Sequence, residues 1–348
     1  MSFIKLQSSD IVVSADSITA PCWSAFAPSL TQFFTGSNAV AKSSAPKFFL
    51  DVYQQNPTGS AAEVQFSILY GNLNGSGSEN YNDLVPYATP TRTIYGQYRT
   101  LVFGDENTNF TFGSGATVED IFILNINRNR YKEHLLPGSF NLKLADASNN
   151  PITLTDNSKV LTINTYGDAG RVFDIVSGSF GTPTTAVIES GVTAGYTKSG
   201  SYGMFLPDVG LIIFNARALS LPFAKGGVQT NINPSRTYDT DDQTYNQFYN
   251  ALINPNASAF QLNSEETISA NYVFIRVPNA ELNYTTNPSM ISGSGDFVYT
   301  NFVNSPQTFP TTVGLYNDNN ELLAVAKLSK PFVKDFTKEA LFRLKLDW

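Results

Sequence analysis

Two residue types that dominate metal, redox and nucleophilic chemistry occur once each in this sequence, as Cys22 and His134. One thiol cannot make an intrachain disulfide, a Cys-x-x-Cys redox pair or a cysteine zinc site, and one imidazole cannot make a two-histidine metal centre. A catalytic triad would have to use His134, within Tyr131-Lys132-Glu133-His134-Leu135-Leu136-Pro137-Gly138, yet no Gly-x-Ser-x-Gly elbow accompanies it. The segment lies between two predicted strands and ends in a Pro-Gly turn, so His134 is expected as a partly exposed loop residue. Paired carboxylates are the remaining enzymatic route, because glycoside hydrolysis needs only two of them across a cleft. The candidates are Asp239, Asp241 and Asp242, then Glu265 and Glu266, then Asp105 and Glu106. Acids adjacent in sequence more commonly cap helices or sit on solvated turns.

Phosphate and cation loops are no better supported. Gly71-Asn72-Leu73-Asn74-Gly75-Ser76-Gly77-Ser78 follows a predicted strand but lacks the Gly-Lys-Ser/Thr of a phosphate loop. Asn317-Asp318-Asn319-Asn320-Glu321 is oxygen-rich but lacks the glycine and the spaced terminal glutamate of a calcium loop. No catalytic, cofactor or metal residue is therefore expected. The sharpest basic cluster is Asn127-Arg128-Asn129-Arg130-Tyr131-Lys132. On a continuing strand Arg128, Arg130 and Lys132 would share one side, opposite Tyr131. That stripe could meet nucleic acid, an anionic glycan or an acidic protein surface, the last being the most economical in so acidic a chain.

Only 15% of the 348 residues are charged, against roughly 25% in a typical soluble domain. The 22 Lys and Arg against 29 Asp and Glu leave a formal charge of −7, which argues against nucleic acid as a partner. No apolar run approaches the roughly 20 residues that cross a bilayer, and Met1-Ser2-Phe3-Ile4-Lys5 does not open a secretory signal. Folding in a reducing cytoplasm is expected. The Asn-x-Ser/Thr triplets at Asn74, Asn109, Asn256 and Asn283 arise by chance in a chain this rich in Asn, Ser and Thr.

The elements that would position these residues are mostly strands. Neutral polar residues with 24 Gly and 18 Pro scattered throughout compose short strands joined by turns, a mainly β fold of sandwich or barrel type with hairpins and one or two short helices. Val64-Gln65-Phe66-Ser67-Ile68 and Phe140-Asn141-Leu142-Lys143-Leu144 alternate at period two, placing one face on a core. Asp120–Leu124, Gly210–Phe214 and Tyr272–Val277 read as strands buried on both faces. The clearest hairpin joins Thr312–Tyr316 to Leu322–Leu328, and the last strand, Leu341–Trp348, alternates apolar with charged residues. One helix is expected over Thr93–Val102, with Ile94, Tyr98, Leu101 and Val102 on one face and Gly104 at its stop. A second is expected over 241–253, with Tyr245, Phe248, Tyr249 and Leu252 as an apolar stripe. Composition shifts divide the chain into an N-terminal arm (1–45), a β domain with a short helix (46–177), a Gly/Ser/Thr-rich linker or long loop (178–203) and a second β region (204–348).

Several segments carry a resemblance as well as a period. Ala62–Gly71 followed by Gly75–Ser78, Ile94-Tyr95-Gly96-Gln97-Tyr98, and Arg130–Glu133 with Leu136–Phe140 resemble a family of virion structural proteins of tailed bacteriophages, best represented among contractile-tailed cyanophages. Arg171–Ser179, Tyr202–Gly210, and Thr311–Asp318 with Leu323–Pro331 are similar to later blocks of that family, in the same order. The resemblance spans nearly the whole chain and carries no catalytic or cofactor residue. It implies a structural part of a virion assembled in the host cytoplasm, with other virion proteins and copies of itself as partners. The hairpin's likeness to tail-fibre and baseplate segments implies the tail or baseplate, with the neck or capsid surface, as a decoration protein, the alternative.

Sparse charge fits that role, because stable assemblies deplete charge at the centres of their contacts. The expected contact residues are Phe33, Phe34, Arg128, Arg130, Lys132 and Trp348. Two other functions remain open. A glycan-binding or receptor-binding protein would stack host sugars on Tyr238, Tyr245 or Tyr284, and a glycan-degrading enzyme would use the acids named above.

Overall fold

A computed structural model describes residues 4–36, 49–75, 90–112, 117–184, 202–232, 244–254, 256, 259–285 and 287–347. In chain order the strands are β1 (Ile11–Pro21), β2 (Phe34–Thr35), β3 (Phe49–Tyr53), β4 (Val64–Asn72), β5 (Asp120–Ile126), β6 (His134–Leu135), β7 (Asn141–Ala145), β8 (Pro151–Asp156), β9 (Thr165–Gly167), β10 (Gly170–Ser179), β11 (Thr182–Pro183), β12 (Gly203–Leu206), β13 (Leu211–Asn215), β14 (Ala259–Gln261), β15 (Asn263–Val277), β16 (Thr312–Tyr316), β17 (Leu322–Lys327) and β18 (Ala340–Asp347). The α-helices are α1 (Thr91–Phe103), α2 (Ala216–Leu219), α3 (Tyr245–Ile253) and α4 (Thr300–Asn304). The fold is mainly β, with four short α-helices among the described residues. Two compact units form: a large one, Ile18–Glu266, and a small one, Met1–Ser17 with Thr267–Trp348. The chain passes from one to the other within β1 and again within β15.

The large unit is built on an antiparallel sheet in the order β14-β7-β8-β10-β12-β13-β5-β4-β3-β2. Its middle strands are buried on both faces because each face carries its own apolar layer. Phe122, Leu124, Ile212 and Phe214 point to one layer, where α3 contributes Phe248 and Leu252. Ile121, Ile123, Leu211 and Ile213 point to the other, where α1 contributes Ile94, Tyr95, Tyr98 and Val102. Each such side chain contributes roughly 1.5–3 kcal/mol on full burial. α1 ends at Gly104, whose φ of 65° is the left-handed cap an L side chain resists. Its buried stripe includes Tyr95, while Leu101, expected inside, is exposed. The close approach of α1 to β4 depends on Gly71, where a Cβ would lie 3.0 Å from the Tyr95 backbone nitrogen. In β4, Gln65 was expected on a solvated face and is instead buried, bonding Ser24 and Gln54. The segment around Ser24 covers that face.

Residues 18–36 are no free arm. The sheet curls until Phe260 of β14 lies 5.5 Å from Phe66 of β4, ring to ring, although the two strands stand near opposite ends of the order. The N-terminal segment closes the gap: Cys22 N–H donates to Leu262, Leu30 and Phe260 exchange both backbone hydrogen bonds, and β2 pairs with β3. Trp23 lies 4.7 Å from Phe260 and donates its indole N–H to that residue's carbonyl. Compactness also divides the 204–348 region at Thr267, since β12, β13, α3 and β14 belong to the large unit. At the 178–203 stretch, β10 continues to Ser179, β11 follows and β12 begins at Gly203, with 185–201 outside the described residues.

In the small unit β15 and β18 pair from Ala270 opposite Asp347 to Val277 opposite Ala340. Val273, Ile275, Val277, Phe342 and Leu344 form its core. Arg276 stays exposed and Tyr272 and Phe274 are half-buried, so this stretch of β15 is buried on one face and not on both. The β16–β17 hairpin is present where expected, with Asn320 at φ 63° in its turn. It packs Val313, Leu315 and Ala326 against that core. Lys334 is wholly buried, and its ammonium donates to the carbonyls of Asn279 and Asp335 and to Asn283 Oδ1 at 2.9–3.0 Å. Those three hydrogen bonds pin the 279–283 turn, where the Asn283 side chain is also buried.

Candidate assembly surface

The basic stripe is not formed. β5 ends at Ile126, and Arg128–Arg130 is a single 3-10 turn, because Asn127 caps it through its side chain at 3.0 Å from Asn129 N. Arg128 turns back over the Tyr131 ring, 4.6 Å from its centroid, and donates to the carbonyls of Tyr131 and Lys132. Arg130, only 13% exposed in its side chain, donates to Ser24 Oγ and, at 2.8 Å, to Glu63. Ser24's hydroxyl and then the Arg130 charge hold the Glu63 carboxyl below its ordinary value. Lys132 pairs with Glu266 at 2.6 Å. These cations are engaged within the chain.

The other residues singled out divide in the same way. Phe33 is core, 8% exposed, with its ring 6.4 Å from Phe66, whereas Phe34 is half-buried in β2. Trp348, Tyr238, Asp239, Asp241 and Asp242 lie outside the described residues. His134 is not on a loop: it forms β6, opposite Glu265 of β15, with Nε2 3.0 Å from that carboxylate. Glu265 and Glu266 thus face His134 and Lys132 and do not face each other across a cleft. Asp105 accepts from the backbone N–H groups of Asn107 and Thr108, closing the turn after α1. Tyr245 is buried in α3, while Tyr284 is exposed, edge-on to Phe297 at 5.3 Å. Burial pushes the Cys22 thiol up to about 12, the Arg130 charge opposing it only in part. Among the described residues no cluster of His, Cys, Asp or Glu is arranged to hold a metal ion.

What sequence reasoning missed is the surface of the small unit. Among the described residues that unit holds about a third of the positions yet more than half of the large apolar side chains that stand exposed. β1 presents Ile11, Val12 and Val13 to solvent in succession, so both of its faces are open there. The hairpin exposes Tyr316, Leu322, Val325 and, at 68%, Leu323. Beside it opens a cleft of about 1460 Å³, lined by the hairpin, by β15 and by the 280–303 region. Tyr284, Val303, Tyr316, Leu322, Val325 and Phe336 are all exposed and all line this one hollow.

No family model, curated protein or solved structure matches the chain. Contiguous apolar area of this kind marks sites of interaction with a protein, a membrane or a ligand. A sequence signal for it did exist: Leu322-Leu323-Ala324-Val325 leaves no polar residue for the outer face of a two-stranded sheet.

Proposed function

We propose that this chain is a non-enzymatic structural component of a bacteriophage particle, of its tail or baseplate, acting through repeated protein–protein contacts. The observation that carries the assembly role is the concentration of exposed apolar side chains around the small unit's hairpin and cleft. A two-stranded hairpin is marginal in water by itself, and here it packs on a core of five buried side chains. The low charge of the whole chain, 15%, supports the same reading, because few ions need to be stripped of water when such surfaces meet. The phage reading rests on the ordered sequence blocks between Ala62 and Pro331, and the placement in the tail or baseplate on the hairpin's likeness alone. Quantitative mass spectrometry of purified particles is expected to find the chain at a fixed copy number, with tailless or unstable particles when its gene is deleted. Its absence from purified particles would refute the placement.

Tyr284 supports a second reading. It is exposed beside Phe297 at the cleft rim, where a sugar ring could stack, and selective binding of the isolated chain on a glycan array would favour a receptor-binding role.

A further inference from the structure

We propose that the small unit is a self-association module: the β16–β17 hairpin of one copy seats in the cleft of a second copy, on its exposed apolar side chains. This rests on the assembly reading above and adds the partner. The cleft, about 1460 Å³, exceeds the roughly 300–1,000 Å³ typical of small-molecule sites and is lined by residues of the hairpin itself. Six of the apolar residues that line it are each 41–63% exposed, and contiguous apolar exposure of this kind marks an interaction site. A standard interface covers roughly 800 Å² per partner, which the adjoining exposed Leu323 helps to reach.

Geometry and charge favour a second copy as the occupant. The β16–β17 sheet has no third strand among the described residues. A strand edge carries both donors and acceptors, so the same edge on two copies can pair antiparallel about a two-fold axis. Gly314 makes room on the cleft side of the hairpin for the Tyr316 ring and Leu322: a Cβ there would lie 2.9 Å from Tyr316 Cε2 and 3.3 Å from Leu322 Cδ1. Lys327 is the only charge on β17. The small unit holds eight basic and nine acidic residues, a charge of −1, whereas the large unit holds fourteen and twenty, a charge of −6. Two copies therefore meet at the small unit with little like-charge repulsion, and contact through the large units is opposed.

Sedimentation equilibrium of the full chain over a range of concentrations tests this. The wild type is expected to associate reversibly. The Leu322→Lys/Val325→Lys double variant is expected to bind itself at least 30-fold more weakly with an unchanged circular dichroism spectrum, and Ile163→Lys on the large unit to behave as wild type. Independently, Leu323→Cys is expected to be crosslinked between copies by a short bis-maleimide, the native thiol being buried at Cys22. A chain that stays monomeric at all concentrations, a double variant that associates like wild type, or a Leu323→Cys chain that yields no crosslinked dimer would overturn the proposal. A monomer that is nonetheless found in purified particles refutes this module alone. A self-associating chain absent from particles refutes the phage placement alone.

Discussion

Asp208 shows how a single side chain fixes local structure here. Burial would raise its carboxyl, but Arg171 donates to Oδ1 from Nη2 at 2.6 Å and from Nε at 2.9 Å, and the Arg171 backbone N–H donates to Oδ2 at 2.7 Å. These bonds, with the Arg171 charge, outweigh burial and hold the carboxyl below its ordinary value. A carboxylate with a lowered folded value contributes stability that is complete above the unfolded value, about 3.9, and is lost as pH falls through the folded value. Asp208→Asn is therefore expected to be less stable than wild type in urea at pH 7, with the difference shrinking as pH is lowered below the unfolded value of about 3.9. An equal difference at both pH values would show that the side chain acts by packing and not by charge. Gln65 and Lys334, both buried, and the half-buried Asp208 have this in common: each ties together segments that are separate in sequence.

At the level of elements, the N-terminal segment is the main reassignment. Because Phe33 lies in the core that closes the curled sheet, Phe33→Ala is expected to cost about 3–5 kcal/mol, measured by urea unfolding, and to leave the contacts between copies unaltered. A Phe33→Ala chain of wild-type stability that had lost only its association would restore Phe33 as a contact residue. Much of the β-rich architecture was legible in the sequence. The runs in β5 and β13, buried on both faces, could be read because apolar residues at every position leave no solvated face, and the hairpin could be read from its Asn-rich turn. The course of 18–36 could not, since its pairing partners, Leu262, Phe260 and β3, lie far along the chain or beyond a long connection, with no local period to announce them. Arg128, Arg130 and Lys132 misled for the opposite reason. Alternation predicts a stripe only while a strand continues, and the Asn127 cap ends it.

At the scale of the whole molecule, scarce charge has an uneven distribution. The large unit has a thick core on both faces of its sheet and carries nearly all of the net negative charge, while the small unit is close to neutral and thinly cored. A small domain with few buried side chains is marginal unless something else covers it. The open face of β1, the hairpin and the cleft supply the surface to be covered. The central claim is that this surface is buried in an assembly, and hydroxyl-radical footprinting of the free chain against purified particles tests it most directly. Tyr316, Leu322, Leu323 and Phe336 are expected to be labelled readily in the free chain and at least tenfold less in the particle, while Ile163 and Tyr166 of the large unit serve as the comparison. Equal labelling of the four residues in both states would contradict the account.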